Sequence, residues 1–205
     1  MIEKFFIKST AQYRVTGMIE VRIHGRGGQG AVTSAEMVAL AAISEGKYAQ
    51  AFPSFGPERR GAPVQAFIRV SSEPIKLRCD IRQPDVVVVL DPALITVAQA
   101  TSGLKKDGII VVNTGKSIAQ TKTEYRLTHR TAVVDATKIA REILGLPITN
   151  TTMIGALVKA TALVAIESLS DPLHHRFGRI AAKNIQVCQR AFEETIVEEA
   201  ARAKS

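Results

Sequence analysis

The sequence is poor in cysteine, lacks tryptophan and contains no long apolar run. Two of its 205 residues are cysteines, and aromatic residues make up 5%. A helix that spans a bilayer needs about 20 successive apolar residues, whereas the densest apolar run, residues 86–90, has the length of one buried strand. Cys79 and Cys188 lack the spacing of zinc or iron–sulfur ligands, so we predict two small buried side chains and no metal on this chain. These absences argue against a membrane protein and are typical of a cytoplasmic one.

The charge balance predicts a surface that attracts anions. Lysine and arginine number 27 against 19 aspartates and glutamates, and such an excess favours phosphates, acidic proteins or nucleic acid as ligands. The basic residues are dispersed along the chain, and few aromatic residues are present for base stacking. We therefore do not expect a nucleic-acid-binding protein, and salt-sensitive retention on DNA would be the cheap test of that alternative.

Regular patterns begin only after the second methionine, Met18. Residues 1–17 show no sustained apolar stretch of the kind that a signal peptide needs. We interpret residues 1–17 as an N-terminal extension outside the fold, and residues 18–205 as one domain.

Strand-like and helix-like segments alternate through the middle of the chain, which predicts an α/β domain. The strand patterns lie at residues 19–24, 64–70, 86–90, 109–112 and 132–134. Helix patterns lie at residues 31–45, from Asp91 to about residue 103, and from Asp135 to Leu144. Alternation of this kind predicts a single Rossmann-like domain with a mostly parallel sheet flanked by helices.

The last third of the chain predicts helices only. Residues 153–168 form one helical pattern, and no strand is expected after Thr151. A long terminal helix is expected to present one apolar face, formed by Ala181, Ile185, Cys188, Phe192 and Ile196. We expect this helical segment to pack on the sheet.

The most informative motif is a glycine-rich loop between the first strand and the first helix. Its six residues are Gly25, Arg26, Gly27, Gly28, Gln29 and Gly30. Glycine permits positive φ angles and a close approach to the backbone, so the amides at such a helix start can hold a phosphate. Residues 47–55 contain no acid for ribose hydroxyls, and the loop lacks the Lys-Ser/Thr ending of a P-loop. Phosphate binding is therefore favoured over dinucleotide binding or nucleotide hydrolysis.

A second segment, residues 50–63, combines three prolines with two adjacent arginines. We expect a stiff shaped loop that is neither helix nor strand. Arg59 and Arg60 are suited to hold a phosphate or carboxylate, and Phe52 and Phe55 to cover an apolar or planar group. The plainer interpretation is a connecting loop with solvated arginines.

Polar residues follow several predicted strands. Asp91, Asn113 and Asp135 are expected to share one sheet edge with Gly25, although both aspartates are typical helix caps. Asn150 precedes a helix whose amides are suited to receive an anion. The sequence shows no convincing catalytic triad or carboxylate pair, so binding is favoured over catalysis by this chain alone.

Four segments together carry a resemblance to a known family. They are residues 25–33 (GRGGQGAVT), 46–55 (GKYAQAFPSF), 56–70 (GPERRGAPVQAFIRV) and 84–92 (PDVVVVLDP). From residue 18 to about residue 189 the chain resembles the gamma subunits of the 2-oxoacid:ferredoxin oxidoreductases, in particular those acting on pyruvate.

The resemblance implies a subunit of a larger enzyme rather than an independent catalyst. In this family a 2-oxoacid is decarboxylated on thiamine diphosphate, electrons pass through iron–sulfur clusters to ferredoxin, and coenzyme A accepts the acyl group. The implied partners are alpha, beta and delta subunits, which would hold the thiamine diphosphate and the clusters, and ferredoxin indirectly. The isolated chain is expected to be inactive.

The resemblance also implies which residues of this chain serve coenzyme A. They are the loop of residues 25–30, the arginine pair Arg59 and Arg60, and Asn150. A branched-chain 2-oxoacid enzyme is the first alternative. A stand-alone nucleotide-binding protein is the second, which retention of a nucleotide on purification would favour.

Overall fold

The computed structural model describes residues 17–54 and 61–200, and a seven-stranded mixed sheet forms its centre. Its strands are β1 (Ile19–Arg26), β2 (Tyr48–Pro53), β3 (Pro63–Ser71), β4 (Val86–Val89), β5 (Ile109–Asn113), β6 (Arg130–Val134) and β7 (Ile196–Val197). Its α-helices are α1 (Ala31–Ser44), α2 (Leu94–Val97), α3 (Ile118–Tyr125), α4 (Ala136–Leu144), α5 (Asn150–Thr161), α6 (Ser170–Phe177) and α7 (Ala181–Glu194).

The strand order is β2-β3-β1-β4-β5-β6-β7. The four central strands β1, β4, β5 and β6 run parallel, whereas β3, β2 and β7 are antiparallel to their neighbours. β4 consists of four buried valines because helices and turns cover both faces of the sheet there. The predicted Rossmann-like fold with a parallel central sheet is confirmed.

The larger core lies between the sheet and helices α1, α4, α5 and α7. α5 and α7 approach closely at Gly155, where an added β-carbon would lie 1.9 Å from the carbonyl oxygen of Cys188. A smaller core on the opposite face holds Val87, Val89, Ile110 and Val112. Of the C-terminal helices, α5 packs on β5 and β6 as predicted, and α7 packs on α5 and α4 as a further layer.

Several predicted boundaries are wrong. Residues 50–53 belong to strand β2, because Phe52 pairs with Phe67 across the sheet edge. The helix after Asp91 is one turn, Leu94–Val97, since Gln99 adopts a φ of 45° and ends it. α5 ends at Thr161 rather than near residue 168, because Ala162 adopts a left-handed conformation. Ile196 lies in the short strand β7, which contradicts both the continuous terminal helix and the absence of strands after Thr151.

Candidate anion-binding site

The glycine-rich segment forms a tight connection from β1 to α1. Gly25 and Arg26 lie in the strand, so the loop is shorter than predicted and comprises residues 27–30. Gly28 and Gly30 adopt φ angles of 93° and 79°, in the left-handed region that favours glycine. The Oε1 atom of Gln29 accepts a 2.7 Å hydrogen bond from the backbone N–H of Arg26. The loop is therefore held in shape by its own glutamine.

A second segment, the two residues just before β3, pairs with this loop. The N–H of Gly27 donates to the carbonyl of Ala62 at 2.9 Å, and the N–H of Gly61 donates to the carbonyl of Gly27 at 3.2 Å. Arg59, Arg60 and Phe55 lie outside the described residues, so their part in the site stays a prediction. Ser54 and Gly61, which border residues 55–60, lie at the same sheet edge as the glycine loop.

Asn150 packs against Gly30 and is the best-placed polar side chain of the site. It is the first residue of α5, rather than the residue before it, and only 6% of it is exposed. Its Oδ1 atom is buried and has no hydrogen-bond partner among the described residues. A β-carbon added to Gly30 would lie 2.7 Å from its Nδ2 atom. The side chain of Asn150 therefore lies against the loop, and its Oδ1 acceptor has no partner among the described residues.

Two helix N-termini meet at this point. The hydroxyl of Ser34, on the first turn of α1, donates to the carbonyls of Gly30 at 3.1 Å and Asn150 at 3.2 Å. Gly30 and Thr149 precede α1 and α5, and neither provides a side-chain cap. The first N–H groups of any helix lack intrahelical partners, and here the residues before the helices offer no side chain to accept from them. Uncapped groups of this kind attract anions. The structure thus brings the predicted loop and the predicted Asn150 together.

Arg26 ties the loop to the neighbouring strand. Its Nε atom donates to Oδ2 of Asp91 at 2.5 Å, and its Nη1 atom donates to the carbonyl of Gly61 at 3.3 Å. Asp91 also accepts from the N–H of Ala93 at 3.0 Å. Both residues are partly exposed. In this arrangement Arg26 positions the loop, and the carboxylate of Asp91 balances its charge.

The remaining residues at the strand ends are structural. Asn113 is buried and donates to the carbonyl of Leu90 at 2.9 Å and to the hydroxyl of Thr137 at 3.0 Å. Asp135 caps α4 by accepting from the N–H of Lys138 at 2.9 Å. The expected shared edge is confirmed, and so is the capping interpretation of Asp135.

A buried polar layer on the face of the sheet opposite α1 was not predicted from the sequence. Arg22 donates to Nε2 of His24 at 3.0 Å and to the carbonyls of Ala100 and Ser102. Burial, with a smaller contribution from the Arg22 charge, lowers the pKa of His24 to about 3. Arg69, 1% exposed, pairs with Glu20 at 2.8 Å. The alternating polar positions 20, 22 and 24 of a short strand were the available signal.

The two cysteines differ in exposure, and only one of them matches the prediction. Cys188 is buried as predicted, and burial raises the pKa of its thiol to about 12. Cys79 is exposed, contrary to the prediction, because it lies on the irregular segment that follows β3. Within residues 17–54 and 61–200, no group of three or more His, Cys, Asp or Glu side chains is placed to hold a metal ion.

Two cavities lie away from this edge. One of about 220 Å³ lies between α6 and α7 and includes Leu173 and Cys188. The other, of about 250 Å³, lies at the amino edge of the parallel strands and includes Ile19 and Lys105. The helices in the described part of the chain include none that is long and apolar enough for a membrane span.

The fold and the loop define a Rossmann-like α/β protein with a glycine-rich loop at the carboxyl edge of its parallel strands. Residues 20–194 match the family model of the pyruvate ferredoxin/flavodoxin oxidoreductases. The chain belongs to this family, and the predicted resemblance is confirmed.

Named relatives agree with the family. The chain is 54% identical to the pyruvate/ketoisovalerate oxidoreductases common subunit gamma of Pyrococcus furiosus over 88% of this chain and 98% of that one. It is 47% identical to pyruvate synthase subunit PorC of Methanocaldococcus jannaschii over 87% of this chain and 98% of that one. The crystal structure of pyruvate oxidoreductase subunit PORC from Thermotoga maritima superposes with a TM-score of 0.80 at 38% identity, covering 89% and 99% of the two chains.

Proposed function

We propose that this chain is the gamma subunit of a pyruvate:ferredoxin oxidoreductase and contributes part of the coenzyme A site. The observation that carries the proposal is the contact between the glycine loop and Asn150 at two uncapped helix N-termini. The names of relatives at 47–54% identity support the subunit assignment. The chain would assemble with alpha, beta and delta subunits, and thiamine diphosphate and the iron–sulfur clusters would be held there.

The loop and the two helix starts together would bind one diphosphate. The starts of α1 and α5 adjoin the loop, so their first N–H groups would supply donors for an anion. The Nδ2 atom of Asn150, which lies beside Gly30, would supply one more donor. Gln29 and the Arg26–Asp91 pair hold the loop in place before the ligand arrives. Coenzyme A would supply the thiol that accepts the acyl group, and this chain would bind and orient it.

The site also bears on where the rest of the enzyme lies. The carboxyl ends of β1, β4 and β5 share one edge with the loop. A ligand bound there would extend away from the sheet, toward partner subunits. We infer that this edge closes the thiamine diphosphate site of the complex.

Activity measurements on the chain with and without its partners test the proposal. The purified chain with pyruvate, coenzyme A and a viologen acceptor should show no turnover, and the complex assembled with sister subunits should be active. Turnover by this polypeptide alone would overturn the subunit assignment. Asn150→Ala in the complex should raise the Michaelis constant for coenzyme A about tenfold, the effect of one hydrogen bond to a charged group. The Michaelis constant for pyruvate should be unchanged.

A shared subunit is the second candidate function. The relative from Pyrococcus furiosus is named as common to pyruvate and ketoisovalerate oxidoreductases. If this chain is shared in the same way, it should copurify with two sets of sister subunits and support activity on pyruvate and on a branched-chain 2-oxoacid. Association with a single set of sister subunits would exclude the shared role and support a subunit of the pyruvate enzyme only.

A further inference from the structure

The end of α6, the start of α7 and the connection between them concentrate positive charge beside the glycine loop. We call residues 174–183 the basic turn. All of its basic residues are exposed: His174, His175, Arg176, Arg179 and Lys183. Within the described part of the chain, the cationic side chains of this turn form no ion pair with an acid. The turn thus carries charge that no acid among the described residues pairs with.

Two contacts place the basic turn at the same edge as the candidate site. Nη2 of Arg176 lies 3.5 Å from the hydroxyl of Thr33, on the first turn of α1. The hydroxyl of Thr151 donates to Oδ1 of Asn184 at 2.9 Å, which joins the start of α5 to the start of α7. Because α1 and α5 both begin at the loop, the turn between Arg176 and Asn184 borders the proposed anion site.

Two of the five basic residues are placed where a helix by itself disfavours them, whereas His174, His175 and Arg176 lie in the last turn of α6, where the helix dipole stabilises cations. Lys183 lies in the first turn of α7, which contains no acidic residue, and Arg179 lies just before that helix. Cations near a helix N-terminus are destabilising, since the positive end of the helix dipole lies there. An anion bound between these side chains and the helix start would reverse that penalty.

We propose that the basic turn binds a second phosphate of the ligand, the phosphate on the ribose of coenzyme A, with Arg176 as its main contact. The inference rests on the proposed function, because it assigns the diphosphate to the loop and Asn150. Coenzyme A carries its ribose phosphate one sugar away from the diphosphate, so a separate cationic surface adjoining the loop meets the requirement. Arg176 contacts Thr33 on the first turn of α1, the helix that begins at the loop.

Dephospho-coenzyme A, which lacks only this phosphate, provides the decisive comparison. In the assembled complex, the wild type should use coenzyme A with a lower Michaelis constant than dephospho-coenzyme A. Arg176→Gln should raise the constant for coenzyme A about tenfold, the effect of one charge-assisted hydrogen bond, and leave that for dephospho-coenzyme A unchanged. Arg176→Lys should retain part of the preference, because it keeps the charge and loses the planar fork.

Lys106→Gln is the matched control. Lys106 is an exposed lysine in the turn before β5, at the opposite edge of the sheet. The Lys106→Gln substitution also removes one positive charge, and it should change the Michaelis constant neither for coenzyme A nor for dephospho-coenzyme A. If Arg176→Gln changed both constants equally, or neither, the inference would be wrong. Loss of sister subunits on purification with unchanged selectivity would also overturn it and would assign the basic turn to an acidic protein partner.

The inference and the proposed function fail in different ways. If Gly30→Ala left the Michaelis constants for coenzyme A and dephospho-coenzyme A unchanged, the loop would have no role in binding coenzyme A, and the proposed site would be wrong. A Gly30→Ala complex with both constants raised, together with an Arg176→Gln complex with neither raised, would overturn only the role of the basic turn.

Discussion

The side-chain amide of Asn150 lies against Gly30, so closely that a β-carbon on Gly30 would meet Nδ2 at 2.7 Å. Two residues separated by 120 positions, 150 − 30, thereby fix how the starts of α1 and α5 face each other. No larger residue fits at position 30 unless Asn150 moves. This contact makes the geometry of the site sensitive to one methyl group.

Gly30→Ala and Gly28→Ala form a matched pair that tests this contact. Both glycines have positive φ angles, so each substitution should cost roughly 1–2 kcal/mol of backbone strain. Only Gly30→Ala meets a neighbour, because nothing lies within 4 Å of a β-carbon at Gly28. In the assembled complex, Gly30→Ala should raise the Michaelis constant for coenzyme A at least about tenfold more than Gly28→Ala. Equal effects would show that the Asn150 contact is irrelevant to binding.

The buried His24 predicts a specific pH dependence of stability. Its pKa of about 3 lies below the ordinary value of 6.5, so the unfolded state binds a proton that the folded state does not. Stability should therefore be complete above about pH 6.5 and fall as the pH drops toward 3, by about 1.4 kcal/mol per pH unit. Urea unfolding at pH 7.5 and pH 5 should show about 2 kcal/mol lost through this group.

His24→Gln is the control for that experiment. Glutamine can still accept the hydrogen bond from Arg22 but cannot take up a proton in this pH range. In this variant, the loss of stability between pH 7.5 and pH 5 should be smaller than in the wild type by about 2 kcal/mol. If stability fell with pH as steeply in His24→Gln as in the wild type, His24 would not be the group that controls the pH dependence.

At Gly155, the sign of the change in stability on substitution by alanine tests the close packing of α5 on α7. In an exposed helix, replacing glycine by alanine would stabilise by about 1 kcal/mol. At Gly155 the new methyl would meet the backbone of α7, with the carbonyl oxygen of Cys188 at 1.9 Å. The two helices must separate, so Gly155→Ala should lower the free energy of unfolding by about 1–3 kcal/mol. Stabilisation in urea or thermal unfolding would contradict the close packing of α5 on α7.

The two cysteines should react with a thiol reagent at very different rates. Cys79 is exposed and should be labelled at once in native protein at pH 8. Cys188 is 2% exposed and its pKa is raised to about 12, so it should be labelled only in unfolded molecules. One fast and one slow equivalent are expected, and Cys79→Ser should remove the fast one. Two fast equivalents would show that the α7 packing opens readily.

The local sequence determined the alternating α/β pattern and the position of the glycine loop. Four consecutive valines in β4 and the glycines between β1 and α1 leave few local alternatives. Hydrophobic runs and positive-φ residues act over a few positions, so they can be interpreted directly from the chain. The cap at Asp135 and the family resemblance were available at the same stage for the same reason.

Tertiary structure alone decided which polar groups meet and which strands pair at the edges. Residues 50–53 became a strand because β3 offers a partner, although prolines and aromatic residues made the segment look irregular. Arg22 is buried against distant carbonyls, and Arg69 is buried with its Nε atom paired to Glu20, which no local pattern reveals. Asn150 reached Gly30, and Arg176 reached Thr33, through helix packing. Propensity depends on neighbours along the chain, whereas these contacts depend on how the sheet and helices assemble in space.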